Sequence, residues 1–181
     1  SSLETGPIIV TDKDYQIATK LVRGGQYRSA NRETSEALYM TSGFVYDSAE
    51  QAEAAFRDEI DVFVYSRYGN PTVKMFEQRL ALLEGAEACR ATGTGMAAVF
   101  SALACQVKNG DRVVASRALF GACHAILTKI LPEWGVKTEL IDGTDLTSWK
   151  AALETPAKLV FLESPSNPVL ELVDIAAVCD L

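Results

Sequence analysis

The sequence predicts an α/β fold: a mainly parallel sheet covered by helices. Three observations predict it. From residue 64 onward, short apolar runs of strand type alternate with runs of helix type, the pattern of βα units whose strands lie parallel. A glycine turn, Thr92-Gly93-Thr94-Gly95, stands where one such strand hands over to a helix. The 181 residues are 48% hydrophobic, enough for one domain with a sizeable core and unlike a disordered chain.

The elements follow in chain order. Residues 1 to about 13 read as a loose arm. Residues 14–22 suit a short helix ended by Gly24-Gly25, and 26–36 are polar without a period, hence extended or mobile. Tyr39, Phe44, Val45 and Tyr46 give 37–46 the character of a strand or an extended packed segment. Ser48 is a hydroxyl cap for a helix continuing to Phe56. Nothing up to residue 63 suggests a self-sufficient core. Asn70-Pro71 is a strong helix start, an amide cap followed by proline at the first helical position. Val73, Phe76, Leu80 and Leu83 then recur at spacings of three and four, so one face is apolar until Gly85 stops the helix. Strands are expected at 86–91, 112–115, 136–141 and 158–162. Helices are expected at 96–107, buried by its apolar content, at 122–131, at 146–153 with Asp145 or Thr144 as cap, and from 174 onward. A helix in this pattern leads to another strand, yet 175–181 stop without cap, glycine or polar tail. The chain is therefore expected to be a fragment of a longer α/β protein; a frayed natural terminus is the alternative.

Composition narrows the partners. A net charge of −7 argues against a nucleic-acid backbone. Cys89, Cys105, Cys123 and Cys179 form no C-x-x-C pair and His124 is the single histidine, so no metal site is expected. The apolar neighbours of the cysteines predict buried thiols in a reducing compartment, and His124, inside a helix, reads as structural. No basic region followed by an apolar run opens the chain, and no apolar run approaches the ~18 to 20 residues of a membrane span. The expectation is a soluble cytoplasmic protein without nucleic-acid or membrane partners.

The glycine turn is a candidate phosphate cradle. Free N–H groups at a helix start carry partial positive charge, glycine lets the backbone approach an anion, and threonine hydroxyls donate to it. Alone, Gly-x-Gly after a strand is more often an ordinary turn. It is not a dinucleotide fingerprint, because Ala98 stands where a third glycine belongs and 112–115 ends without the acidic residue such a site needs. It is not a Walker loop either, since no Gly-Lys-Ser/Thr follows. Two further loops, Leu119-Phe120-Gly121-Ala122 and Glu163-Ser164-Pro165-Ser166-Asn167-Pro168, come after predicted strands. With the cradle they should converge at the carboxyl edge of the sheet, where α/β proteins bind ligands. They offer N–H donors, an aromatic face and a carboxamide. Glu163 receives no role at this level.

Four ordered motifs carry a resemblance to a known family. They are Tyr65-Ser66-Arg67-Tyr68-Gly69-Asn70-Pro71-Thr72, then Leu83-Glu84-Gly85, then Thr94-Gly95-Met96, then Glu163 to Pro168. From about residue 21 to 181 the chain resembles the Cys/Met-metabolism family of pyridoxal-phosphate enzymes. The resemblance implies the N-terminal part of a fold-type-I PLP-dependent transferase, aspartate-aminotransferase-like in fold. Residues 1–63 would be an N-terminal arm and oligomer-contact segment, and 64–181 the first part of the cofactor domain. It implies pyridoxal 5'-phosphate as cofactor and a homotetramer whose sites are shared between subunits.

Roles follow by position. Tyr65 and Arg67 match residues that reach the cofactor phosphate of a neighbouring subunit; by themselves they would read as core packing and a surface charge. Gly95 and Met96 match the backbone donors to the phosphate, and Thr94 a small hydroxyl position. Phe120 matches the aromatic that stacks on the pyridine ring. Many members carry tyrosine there, so the stacking survives and the hydroxyl is lost. Asn167 matches the residue beside the cofactor's phenolic oxygen; otherwise Ser-Asn-Pro is a turn.

Leu-Phe-Gly and Tyr-Ser-Arg-Tyr resemble the O-succinylhomoserine sulfhydrylase branch. The implied reaction is γ-replacement: succinate leaves Cγ of the homoserine ester and sulfide adds, giving homocysteine. The alternatives are a cystathionine γ-synthase, with cysteine as nucleophile, or a γ-lyase, which the missing hydroxyl disfavours. The family also needs a Schiff-base lysine, an aspartate on the pyridine nitrogen and an arginine for the substrate carboxylate. The eight lysines, Lys13 to Lys158, match no such motif. The lysine is expected beyond Leu181, and the 181 residues alone are expected to be inactive. A non-catalytic binding or assembly module is the alternative of another class.

Overall fold

The computed structural model describes Ile8–Ile9 and residues 15–181. The expected arm at 1–13 lies outside the described residues apart from that pair. The chain divides after Ala91 into two compact units.

In the first unit, β1 (Ile8–Ile9) pairs antiparallel with β2 (Tyr27–Arg28). Helix α1 (Ile17–Arg23) ends at Gly24 and packs on α3 (Pro71–Glu84). The two glycines allow this approach. A Cβ on Gly24 would lie 2.7 Å from Leu82 Cδ1, and one on Gly25, at φ +66°, would lie 2.6 Å from Gln78 Cβ. Helix α2 (Ala49–Phe56) is capped as expected, Ser48 accepting from the Gln51 N–H.

Asn70 does more than cap α3. Its Oδ1 accepts from the Thr72 N–H, while its Nδ2 donates to the Tyr39 carbonyl and to Ser66 Oγ, all at 2.9 Å. Thr72 Oγ1 accepts in turn from the Tyr39 N–H. Gly85 ends α3 in the left-handed conformation, φ +64°. The segment 37–46 is extended but not a strand: one bridge, Gly43 to Tyr65, is its only ladder contact among the described residues. Val45 is 98% exposed, so the packing expected of that residue is absent. Edge-to-face and tilted rings gather instead, Tyr27 against Tyr39 and Phe63, Phe44 against Phe63, and Tyr46 against Phe56. On α3 the spacing of Val73, Phe76, Leu80 and Leu83 is helical as read, yet Val73, Phe76 and Leu83 are exposed; the buried residues are Pro71 and Met75.

In the second unit, β3 (Arg112–Ser116) is the centre of a parallel sheet in the order β4-β3-β5, with β4 at Lys137–Ile141 and β5 at Leu159–Phe161. The two-residue period of β3 sorts its side chains between two cores. Val113 and Ala115 face a cluster with Leu103 of α4 (Gly95–Ala104), Cys123 of α5 (Gly121–Ala125), Ile126, Leu127 and Leu131. Val114 faces Trp149 and Ala152 of α7 (Leu146–Leu153), Val173, and Val178 of α8 (Ile175–Cys179). Val113, Val114 and Ala115 are fully buried, as expected for a parallel strand covered on both sides.

The helix expected at 122–131 runs from Gly121 to Glu133, with a π turn at Ile126–Ile130 before α6 (Leu131–Glu133). Pro132 has no N–H for the regular ladder, and Thr128 Oγ1 donates to the His124 carbonyl at 2.8 Å; both loosen the α-helical pattern there. Asp145, not Thr144, caps α7, accepting from the N–H groups of Thr147 and Ser148.

Three expectations are corrected. Residues 86–91 are not a strand: the run is alanine-rich, finds no ladder partner, and the Ala91 N–H donates to Glu77 Oε1 at 2.7 Å instead. The helix expected at 96–107 ends at Ala104 and is buried only along one face, at Leu103, with Ala97, Ala98, Ser101 and Ala102 exposed. Of the four cysteines, all free thiols, only Cys123 is buried; Cys89 is half-buried, and Cys105 and Cys179 are exposed. Among the described residues no helix is long and apolar enough to cross a membrane, and no group of acidic, histidine or cysteine side chains could hold a metal ion.

Candidate functional site

The cradle forms as a helix start. Thr94 is the cap of α4, its hydroxyl accepting from the Ala97 N–H at 3.1 Å, and Thr92 Oγ1 donates to the Thr94 carbonyl at 2.8 Å. The amides of Gly95 and Met96, the first two helical residues, find no acceptor among the described residues. A side-chain carbon on Gly93 or Gly95 would meet nothing within 4 Å, so the turn is open. The Met96 side chain packs against the cluster under β3, as core filler does. Helix α4 precedes β3 by the connection 105–111. Met96 at its start and Leu103 near its end both pack on the cluster that holds Val113 and Ala115, and α4 packs beside α5, which follows the carboxyl end of β3.

Phe120 lies just past that carboxyl end and opens α5, which packs beside α4. Phe120 is 44% exposed, and its ring stacks on no other ring of the described residues. Asn167 lies past β5 in a loop closed on itself. There the Ser166 N–H donates to the Glu171 carbonyl, the Glu171 N–H to Ser166 Oγ, and the Val173 N–H to Ser164 Oγ. Ser166 is buried by this closure and Asn167 is presented outward. The Asn167 carboxamide makes no hydrogen bond among the described residues.

One residue without an assigned role joins these loops. Glu163 Oε1 accepts from the Phe120 N–H at 2.9 Å, and its Oε2 accepts from the Asn167 N–H at 3.2 Å. Cys123 sits beside it: burial first, and the Glu163 carboxylate second, push the Cys123 thiol up from its ordinary value, which keeps it an uncharged packing group. No motif in isolation reveals Glu163's job, because its partners are backbone amides. Of the sequence-derived candidates, Phe120 and Asn167 are thus joined past the carboxyl ends of β3 and β5, and Gly95 and Met96 open the helix packed beside α5.

Tyr65 and Arg67 lie in the first unit, just before α3. The Arg67 guanidinium stands 4.9 Å from the Tyr65 ring centre and 5.3 Å from that of Tyr68. No carboxylate pairs with it among the described residues, so the cation is held by ring faces while its N–H donors stay free.

The model of the Cys/Met metabolism PLP-dependent enzyme family matches residues 18–181. The chain belongs to that family. It is 57% identical over 164 residues to the O-succinylhomoserine sulfhydrylase of Mycobacterium tuberculosis, an alignment covering 91% of this chain and 40% of the relative. It is 44% identical to the O-succinylhomoserine sulfhydrylase of Pseudomonas aeruginosa over 90% of this chain and 40% of the relative. Against the L-methionine gamma-lyase of Porphyromonas gingivalis the identity is 41%, over 91% and 41%. Among solved structures, an O-acetylhomoserine (thiol)-lyase assignment from Campylobacter jejuni, with pyridoxyl-lysine monophosphate, superposes with a TM-score of 0.80 at 29% identity, covering 89% of this chain and 40% of that one. The cystathionine gamma-lyase of Lactobacillus plantarum, complexed with L-serine, gives 0.79 at 29% identity, over 92% and 41%. The α/β fold-type-I expectation and the pyridoxal-phosphate dependence are therefore borne out. The chain spans about 40% of the length of the family relatives it matches.

Proposed function

We propose that the protein catalyses γ-replacement on O-succinylhomoserine, with sulfide entering, succinate leaving and homocysteine formed, as a step of methionine biosynthesis. The observation that carries this reading is the 57% identity to an O-succinylhomoserine sulfhydrylase across nearly all of this chain. The chain's own groups suit pyridoxal phosphate. Two unpaired amides at an uncrowded helix start suit a phosphate, an open ring face suits a pyridine, and a free carboxamide suits a phenolic oxygen.

In this reading Gly95 and Met96 donate their N–H groups to the phosphate, and Thr94, whose oxygen already caps α4, adds its hydroxyl hydrogen. Phe120 stacks on the pyridine ring and shields that face from water. Asn167 donates to the phenolic oxygen. Tyr65 and Arg67 bind the phosphate held by a neighbouring subunit, Arg67 through its planar fork of donors. When bound, the cofactor supplies an electron sink for the carbanions that γ-replacement requires. The lysine, aspartate and substrate-binding arginine that the family uses lie outside these 181 residues. The same reading takes the protein as a cytoplasmic homotetramer, with residues 1–63 as arm and subunit contact and 64–181 as the first part of the cofactor domain.

A γ-lyase is the second reading, favoured by the 41% identity to an L-methionine gamma-lyase and opposed by Phe120, which has no hydroxyl to move a proton. A cystathionine γ-synthase differs only in its nucleophile. The test is to offer the full-length, cofactor-loaded protein O-succinylhomoserine with sulfide or with cysteine, and separately methionine. Homocysteine formation supports the proposal. Exclusive cystathionine formation, or elimination from methionine without γ-replacement, overturns it.

A further inference from the structure

One carboxylate holds two loops that come from different parts of the chain. The Phe120 N–H and the Asn167 N–H donate to opposite oxygens of Glu163 at 2.9 and 3.2 Å, and Phe120 stands 43 residues before Glu163. No lysine or arginine pairs with Glu163 among the described residues, so these two amides and the neighbouring Cys123 thiol are its surroundings. Amide bonds to an ionised acceptor are roughly twice as strong as neutral ones. Each amide belongs to the residue whose side chain is exposed at the sheet edge. Fixing it fixes where that side chain leaves the backbone.

We propose that Glu163 is a positioning residue, which locks the Phe120 ring and the Asn167 carboxamide into one relative geometry for a bound pyridine ring. This rests on the proposed cofactor placement. The packing of α5 and the closed 164–173 loop each have other supports, the apolar cluster and the serine bonds. What Glu163 adds is the link between them.

The test compares full-length wild type with Glu163→Ala and Glu163→Gln, first without cofactor and then loaded. Without cofactor, hydrogen exchange at the Phe120 and Asn167 amides is expected to quicken about tenfold or more in the alanine variant, with β3 unchanged. The glutamine variant keeps one acceptor oxygen, so at least one of the two amides quickens. In the loaded protein, the circular dichroism induced in the bound cofactor falls and kcat drops more than KM changes, with glutamine milder than alanine. Wild-type exchange at both amides in the glutamine variant overturns the inference, whether or not the alanine variant folds. So does altered exchange with unaltered cofactor dichroism and kcat. A wild-type protein that binds no pyridoxal phosphate defeats the cofactor reading itself, and this inference with it; a loaded wild type with unresponsive variants defeats only the role of Glu163.

Discussion

Arg67 is a cation that the fold itself barely uses. It is exposed, leans on two tyrosine rings and pairs with no acid among the described residues, so the fold gains only about 0.5–1 kcal/mol from it. A phosphate would gain more, because a charged bidentate donor contributes about 1.5–3 kcal/mol per bond. Arg67→Ala is therefore expected to weaken pyridoxal-phosphate retention by the full-length protein by about 10- to 100-fold. The midpoint of thermal unfolding should move by no more than a few degrees. Cofactor titration and a melting curve check it; unchanged retention removes Arg67 from the site. Trp149 is the opposite case. It is fully buried against Val114, and its Nε1 donates to the Gly143 carbonyl at 2.9 Å. Trp149→Ala should cost about 3–5 kcal/mol in denaturant unfolding, with an orphaned carbonyl added to the cavity. Neither role was legible from the residue alone: Trp149 stands on an ordinary helix, and Arg67 reads as a surface charge until the motif around it is recognised.

Elements were legible where their signals are local. Ser48, Asn70-Pro71, Gly85 and Asp145 mark helix ends because a cap is a contact within four residues, and each cap is formed. The strand expected at 86–91 failed because a strand is defined by a neighbour, and hydrophobic content cannot name one. For the same reason the apolar run in α4 revealed a helix but not which of its faces is covered. The job of Glu163 is not legible in the sequence because its partners are backbone amides, one of them 43 residues away. Asn70 combines local and distant contacts, and Asn70→Ala tests their sum. Losing the cap and two bonds to residues 39 and 66 should cost about 2–3 kcal/mol in chemical denaturation, more than the ~1 kcal/mol of a cap alone. A pH effect belongs to the same helix. Arg79 of α3 donates to the Gly24 carbonyl and pairs with Glu36, and that hydrogen bond, above all, lowers the Glu36 carboxyl below its ordinary 4.5. A lowered folded value means the contribution is complete above 4.5 and is lost as pH falls through the folded value. The stability gap between wild type and Glu36→Gln should thus be constant near neutral pH and close on acidification below 4.5. A gap that persists unchanged to the acid limit would mean that the carboxylate charge is not what stabilises this contact.

At the scale of the whole molecule, the question is which lysine carries the cofactor. The parallel sheet gives a physical answer for three of the eight. Lys108 and Lys158 precede β3 and β5, and Lys137 begins β4, so all three stand at the starting edge of the strands. Phe120 and Asn167 follow the finishing edge. Five strand residues separate those edges by about 16 Å, beyond the reach of a lysine side chain of roughly 6 Å. Lys74 is turned to Asp61 and the Phe63 ring in the first unit, and Lys129 and Lys150 lie within helices that flank the sheet. On the proposed reading, borohydride reduction of the full-length, loaded protein should fix one pyridoxyl phosphate per subunit on none of Lys108, Lys137 and Lys158, and on a lysine outside residues 1–181. Peptide mass spectrometry locates the adduct. An adduct on Lys108, Lys137 or Lys158 would require the ring to sit at the wrong edge of the sheet, and would remove Gly95, Met96, Phe120 and Asn167 from the cofactor site together.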